Sequence, residues 1–137
     1  NNKKYYFVNT IDLVIENENT VLFDQNRYDV GNYYSDKTIA ENNARADRLL
    51  RRLRQWQGTH DRAISTKDWQ DKTLCLYSIK YNYSLDMLYA HADSYCRGLN
   101  NIYFTSEKIV KEAIEQFKDE LEWYYTEYVQ RLDEVWD

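Results

Sequence analysis

The sequence predicts an α+β fold, a small antiparallel sheet flanked by two main helices that start near Asp36 and Ser106. Three observations predict it. A short module occurs twice, 70 positions apart: Gly31-Asn32-Tyr33-Tyr34-Ser35-Asp36-Lys37-Thr38-Ile39-Ala40-Glu41, then Asn100-Asn101-Ile102-Tyr103-Phe104-Thr105-Ser106-Glu107-Lys108-Ile109-Val110-Lys111. Apolar stripes at spacings of three and four come after each copy. Short aromatic and β-branched runs precede each copy. In the alignment Tyr33 and Tyr34 match Tyr103 and Phe104, Asp36 matches Ser106, and Ile39 matches Ile109.

Taken in order, Tyr5-Tyr6-Phe7-Val8 is a strand candidate. Asp12 to Ile15 and Thr20 to Phe23 flank Glu16-Asn17-Glu18-Asn19, which predicts a hairpin with a polar turn. Tyr33-Tyr34 suits a short bridge before the first helix. Asp36 is an N-cap residue, and Glu41 puts negative charge near the positive helix end. Ile39, Ala46, Leu49, Leu50, Leu53 and Trp56 then predict a helix over about 36–57, ended by Gly58. Residues 58–72 are polar and irregular apart from Trp69. In the run Leu74 to Tyr81, alternation places Cys75, Tyr77, Ile79 and Tyr81 on one face and Leu76, Ser78 and Lys80 on the other. Leu85 to Tyr95 reads as a strand or a short helix. The strand is preferred, because Asn82 to Ser84 can turn. Ile102-Tyr103-Phe104 is a short strand.

Ser106 caps the second helix, and Val110, Ala113, Ile114, Phe117, Leu121, Tyr124, Tyr128, Leu132 and Val135 form its stripe. Unbroken, about thirty residues of helix span roughly 45 Å. That exceeds the width of a domain this size, so the last turns would pack on a partner chain. The alternative is a break near Trp123-Tyr124-Tyr125 and a shorter helix folding back.

The chain has 137 residues, no proline, and glycine only at 31, 58 and 98, between the periodic segments. No low-complexity linker divides it. Residues 1–137 therefore read as one α+β domain. The start at Asn1-Asn2, without Met, suits a piece of a longer chain. No apolar run approaches the ~20 residues that span a bilayer, and no segment reads as a signal peptide. Two cysteines, Cys75 and Cys96, then read as reduced thiols in a cytoplasm, too few for a zinc site by themselves. Fourteen tyrosines and four tryptophans either roof a thin sheet or present a protein-binding surface.

Net charge is −5 but unevenly placed. Residues 36–72 carry nine basic and six acidic groups, and residues 105–137 carry four basic and ten acidic. The basic segment holds Arg45, Arg48, Arg51, Arg52 and Arg54. On a helix Arg45, Arg48 and Arg52 share one face, widened by Arg51 and Arg54. Guanidinium forks suit phosphates and carboxylates, so this is the first candidate interface. It competes with a solvated helix face, or with pairing to the acidic helix. The second candidate is that helix itself, with Glu115, Asp119 and Glu122 among its carboxylates. A third is a dimer seam of Tyr124, Tyr128, Leu132 and Trp136, where the helix is apolar on more than one side. His60-Asp61 and His91-x-Asp93 hold the two histidines, but no nucleophile, phosphate loop or paired metal motif accompanies them. No catalytic residue, metal ligand or cofactor is expected, and the chain reads as a non-enzyme.

On the repeated module the chain resembles a family of small proteins of phages and prophages of Gram-positive bacteria. Its pattern runs Gly-Asn-x-aromatic-x-Thr-x-Glu-x-Ala-Glu, then Trp-x-Asp before a strand, then a second aromatic-Phe-x-Ser-x-Glu-x-Ala helix start. Gly31, Asn32, Tyr34, Lys37, Ala40 and Glu41 match, then Trp69 and Asp71. Ile102, Tyr103, Phe104, Ser106, Glu107, Ala113 and Ile114 match in the second copy. Asp36 replaces the usual Thr, Thr38 and Ile39 the usual Glu, and Val110 the usual Ala. Capping survives the first change. The likeness spans about residues 31–120.

Some anti-CRISPR proteins share the module, so the resemblance implies an inhibitor that binds a Cas9-type nuclease, with or without its guide RNA, in the cytoplasm of the bacterial host. The alternatives are a phage nucleic-acid-binding accessory protein and a dimeric structural or assembly adaptor.

Overall fold

Tyr34 and Phe104, the matched aromatics of the two modules, do the same structural work in the computed structural model, which describes residues 4–18 and 22–133. Each makes an isolated antiparallel bridge to the first strand of a hairpin, Tyr34 to Tyr6 and Phe104 to Tyr77. Both are buried. Two residues on, Asp36 and Ser106 start a helix. The fold is α+β, as expected. Among the described residues it holds two separate two-stranded antiparallel sheets rather than one sheet. The chain groups into two compact units, Asn1–Arg48 with Tyr128–Asp137, and Leu49–Glu127.

In the first unit β1 (Lys4–Val8) pairs with β2 (Val14–Glu18). The turn is closed by Asn9, whose Oδ1 accepts the amides of Ile11 and Leu13 at 3.0 Å each, with Asp12 left-handed at φ 63°. Such local side-chain bonding is what Asn offers a turn. The expected strand at Thr20 to Phe23 is corrected where the structure describes it, since Leu22–Asp29 is helix α1. The hairpin closes one turn earlier than polarity suggested, so Glu16 and Asn17 lie in a strand with exposed side chains.

Helix α1 delivers Asp24 to a fully buried site, where the Tyr5 hydroxyl donates to its carboxylate. Arg27 Nη1 donates to the Tyr5 oxygen at 2.6 Å, and its guanidinium lies 3.8 Å over the Phe7 ring. Burying a charge requires such partners. Asp36 Oδ1 then accepts the Ile39 amide at 2.9 Å, and α2 (Lys37–His60) begins.

In the second unit β3 (Leu76–Asn82) pairs with β4 (Met87–Asp93), from Leu76 opposite Asp93 to Asn82 opposite Met87. The preferred strand reading of this stretch is the observed one. Burial does not keep to the expected alternation, because Leu76, Ser78 and Ile79 are all buried and Cys75 is exposed. Phe104 adds to β3 through paired bonds with Tyr77 at 2.8 Å each, and Ser106 Oγ accepts the Ile109 amide at 3.2 Å. The core unites Leu49, Leu53, Ile79, Phe104, Val110, Ala113, Phe117 and Leu121.

Gly58 lies inside α2, which continues to His60. The His60 ring stacks on Trp56 at 3.9 Å, with Nδ1 2.8 Å from the Trp56 carbonyl, and so occupies the helix end. Residues 66–70 form a short helix, α3 (Thr66–Gln70). The second main helix does not run on: it ends at Thr126, just past the break expected near residues 123–125, and among the described residues no helix folds back after it. It also divides at Phe117 (φ −115°, ψ 20°) into α4 (Glu107–Gln116) and α5 (Lys118–Thr126). Phe117 and Leu121, four residues apart, both lie in the core.

Candidate functional site

Geometry separates the arginines that the sequence grouped. In the first unit Arg45 is half-buried, and exposed Arg48 pairs with Asp12 at 3.5 Å. In the second, Leu49 and Leu53 anchor α2 in the core while Arg51, Arg52 and Arg54 are exposed. The Arg52 guanidinium stands 5.5 Å from the Phe117 ring centroid. Arg54, with no hydrogen bond or ion pair among the described residues, faces a cleft that Arg97 also lines.

That cleft has a volume of about 280 Å³ and is walled by Gln57, Ile64, Trp69, Asn101, Ile102 and Tyr103 besides the two arginines. A second hollow of about 420 Å³ shares Arg54, Arg97, Asn101 and Ile102 and adds Gly98, Leu99 and Asn100. Among the described residues no carboxylate lines either one. Volumes of this order suit a small ligand.

Several elements hold the walls. Trp69 rides on α3, whose N-terminus carries a reciprocal capping box between Ser65 and Asp68. Arg62 Nη1 and Nη2 grip Asp68 at 2.9 and 3.3 Å. The Arg62 hydrogen bond is the main reason the Asp68 carboxyl titrates at about 2, below the ordinary carboxylate range. Next to it, Thr73 hydroxyl and amide bonds lower Asp71. On the facing wall the Tyr103 oxygen accepts the Gly98 amide at 2.8 Å and donates to Asp93 Oδ2 at 3.3 Å. The Trp69 and Tyr103 rings meet at 88° with centroids 4.6 Å apart. Asp61 ties down the residue ahead of the Ser106 cap, accepting the Thr105 amide at 2.7 Å and its hydroxyl at 2.6 Å.

The remaining candidates lie elsewhere. Glu115 is exposed on α4, on the same helix as the Lys111–Glu107 pair at 2.7 Å. Asp119 and Glu122 are exposed on α5. Of the expected dimer seam, Tyr124 packs against the second unit's core, and Tyr128 donates to Asn43 Oδ1 in the first unit at 2.7 Å. Leu132 is 40% exposed. Trp136 lies outside the described residues. The helix expected to carry this seam ends at Thr126, so its two-sided apolar stripe is not a helix face. Beside Tyr124, the Tyr125 hydroxyl donates to the Ile79 carbonyl at 3.0 Å, and burial pushes its pKa up to about 12.

His91 Nε2 sits 3.1 Å from Asp93 Oδ1, on a different element from His60. Among the described residues no group of three or more His, Cys, Asp or Glu is arranged to hold a metal, and no helix is long and apolar enough to cross a membrane.

The sequence did not reveal Arg97, Gln57 and Asn101 as companions of Arg54 and Trp69. Its only signal was an arginine beside Gly98, just ahead of the second module. Residues 54, 69, 97 and 101 meet only through folding. No protein-family model, no curated protein and no solved structure matches this chain.

Proposed function

We propose that this chain is a non-catalytic inhibitory binding protein of the anti-CRISPR kind, which blocks a Cas9-type nuclease by stoichiometric association in the host cytoplasm. The resemblance of the repeated module supplies the partner. The observation that supports a binding role is the presentation of Arg51, Arg52 and Arg54 on a helix whose other side is buried through Leu49 and Leu53. An arginine face on a rigid support loses little freedom on binding, and its forks match guide-RNA phosphates or an acidic protein patch. The carboxylates Glu115, Asp119 and Glu122 are the alternative contact, suited to the positively charged channel in which such nucleases hold nucleic acid.

The test is cleavage of a guide-matched DNA by a panel of Cas9-type nucleases with the purified chain added. Inhibition should saturate as the chain matches the nuclease in concentration. Combined Arg51→Glu and Arg52→Glu should weaken it at least about tenfold, with the melting temperature nearly unchanged. Full inhibition by that variant would move the contact off the arginine face, and no inhibition across the panel would end the reading. The second reading, a nucleic-acid-binding accessory protein, is favoured by the cleft that Arg54 and Arg97 line beside Trp69. It requires affinity for nucleic acid alone that falls steeply with salt.

A further inference from the structure

We propose that the cleft formed by α2, α3 and the 97–103 loop binds a nucleotide, with its phosphate on Arg54 and Arg97 and its base between Trp69 and Ile102, edge-on to Asn101. Neither arginine has a partner among the described residues, and both line the two adjoining hollows. Two guanidiniums facing one cleft repel, and an anion bound between them relieves the repulsion and takes up their N–H donors. The chain's net charge is −5, yet among the described residues this cleft has no carboxylate in its walls.

The rest of the lining selects among anions. An indole and two isoleucine side chains suit a flat heterocycle, which inorganic phosphate lacks. Polar capacity remains beside them. Asn101 Nδ2 makes one long bond, 3.4 Å to the Tyr103 oxygen, which leaves its carbonyl and second N–H unspent. Gln57 Nε2 donates to the Arg62 carbonyl at 2.9 Å, which leaves Oε1 unspent. A side-chain amide with one free donor and one free acceptor is the group that reads a base edge in pairs. Gly98 has a matching role. A Cβ there would come within 2.4 Å of Asn101 Nδ2, so any larger residue swings the amide away.

This inference does not depend on the inhibitor reading. The probes are the four nucleoside 5′-monophosphates, inorganic phosphate and a single-stranded RNA decamer, titrated by calorimetry against the intact chain. At least one monophosphate should bind saturably with Kd below about 1 mM. Arg54→Ala and Arg97→Ala should each weaken it about tenfold or more. Gly98→Ala should weaken it while the melting temperature holds, which separates the site from the fold. Binding of the decamer alone, lost in Arg54→Ala and Arg97→Ala, assigns the nucleotide to a strand and supports the site. Inorganic phosphate binding as tightly as every nucleotide, no saturable binding of any probe, or wild-type affinity in both arginine variants overturns it. Arg51→Glu with Arg52→Glu should keep nucleotide binding, so failure of one proposal is distinguishable from failure of the other.

Discussion

Asn43 shows how much one unremarkable residue can hold. It is buried in the first unit, and its amide is fully used there. Nδ2 donates to the Ile39 carbonyl at 2.9 Å and to the Arg131 carbonyl at 2.8 Å, while Oδ1 accepts the Tyr128 hydroxyl. Two of these three bonds tie residues 128–131 to the first half of α2. Each such bond contributes roughly 0.5–1.5 kcal/mol net, and orphaned partners cost more. Asn43→Ala should therefore destabilise the chain by about 2 kcal/mol in urea unfolding, with faster amide exchange over residues 128–133. Unchanged exchange in that segment would show that the tail is held by something else. Nothing local in the pair Asn42-Asn43 marks which amide is buried. The value of Asn43 comes from a partner 88 positions away.

At the level of elements, the repeat is a device for starting helices. In each copy an aromatic residue bridges to a hairpin, a short bend comes next, and a side-chain oxygen accepts the amide three residues ahead. Ala40 and Val110, four residues past Asp36 and Ser106, are both fully buried. The bridge aims the chain and the cap satisfies an orphan amide, so the helix leaves the sheet at a set angle. Asp36→Ala and Ser106→Ala should each cost about 1 kcal/mol, because the two caps do the same work. A denaturant midpoint that moves for one and not the other would break the equivalence. The copies differ in the helix that each one opens. The first helix runs on without interruption to His60, whereas the second divides at Phe117. Periodicity could not reveal that division, because the spacing from Phe117 to Leu121 is the same whether or not the helix bends between them.

For the whole molecule, the tyrosines divide between internal packing and the surface, where Tyr28, Tyr83, Tyr89 and Tyr95 are exposed. Tyr5, Tyr34 and Tyr103 are buried, while Tyr125 and Tyr128 spend their hydroxyls on Ile79 and Asn43. Burial of an aromatic ring with a satisfied hydroxyl stabilises a small fold with little apolar volume. Near the C-terminus Val129 and Leu132 are exposed, where a stable interface needs roughly 800 Å² per partner. Sedimentation velocity from about 1 to 100 µM tests the C-terminal dimer that the apolar stripe suggests, which requires association over that range. A monomer throughout that range would remove it.

Local sequence by itself determined the fold class, both helix starts, the strand pair after residue 75 and the aromatic bridges. These depend on caps, alternation and periodicity, which act over a few residues. Tertiary structure alone decided that there are two sheets, that Glu16 and Asn17 are strand residues, and that the arginine run is divided between an ion pair with Asp12, a ring contact with Phe117 and a cleft shared with Arg97. Each of those depends on a partner distant in sequence, and charge spacing along one helix cannot say which cation finds one. Arg54 has no partner among the described residues, and the cleft it shares with Arg97 is brought together by packing rather than by any motif.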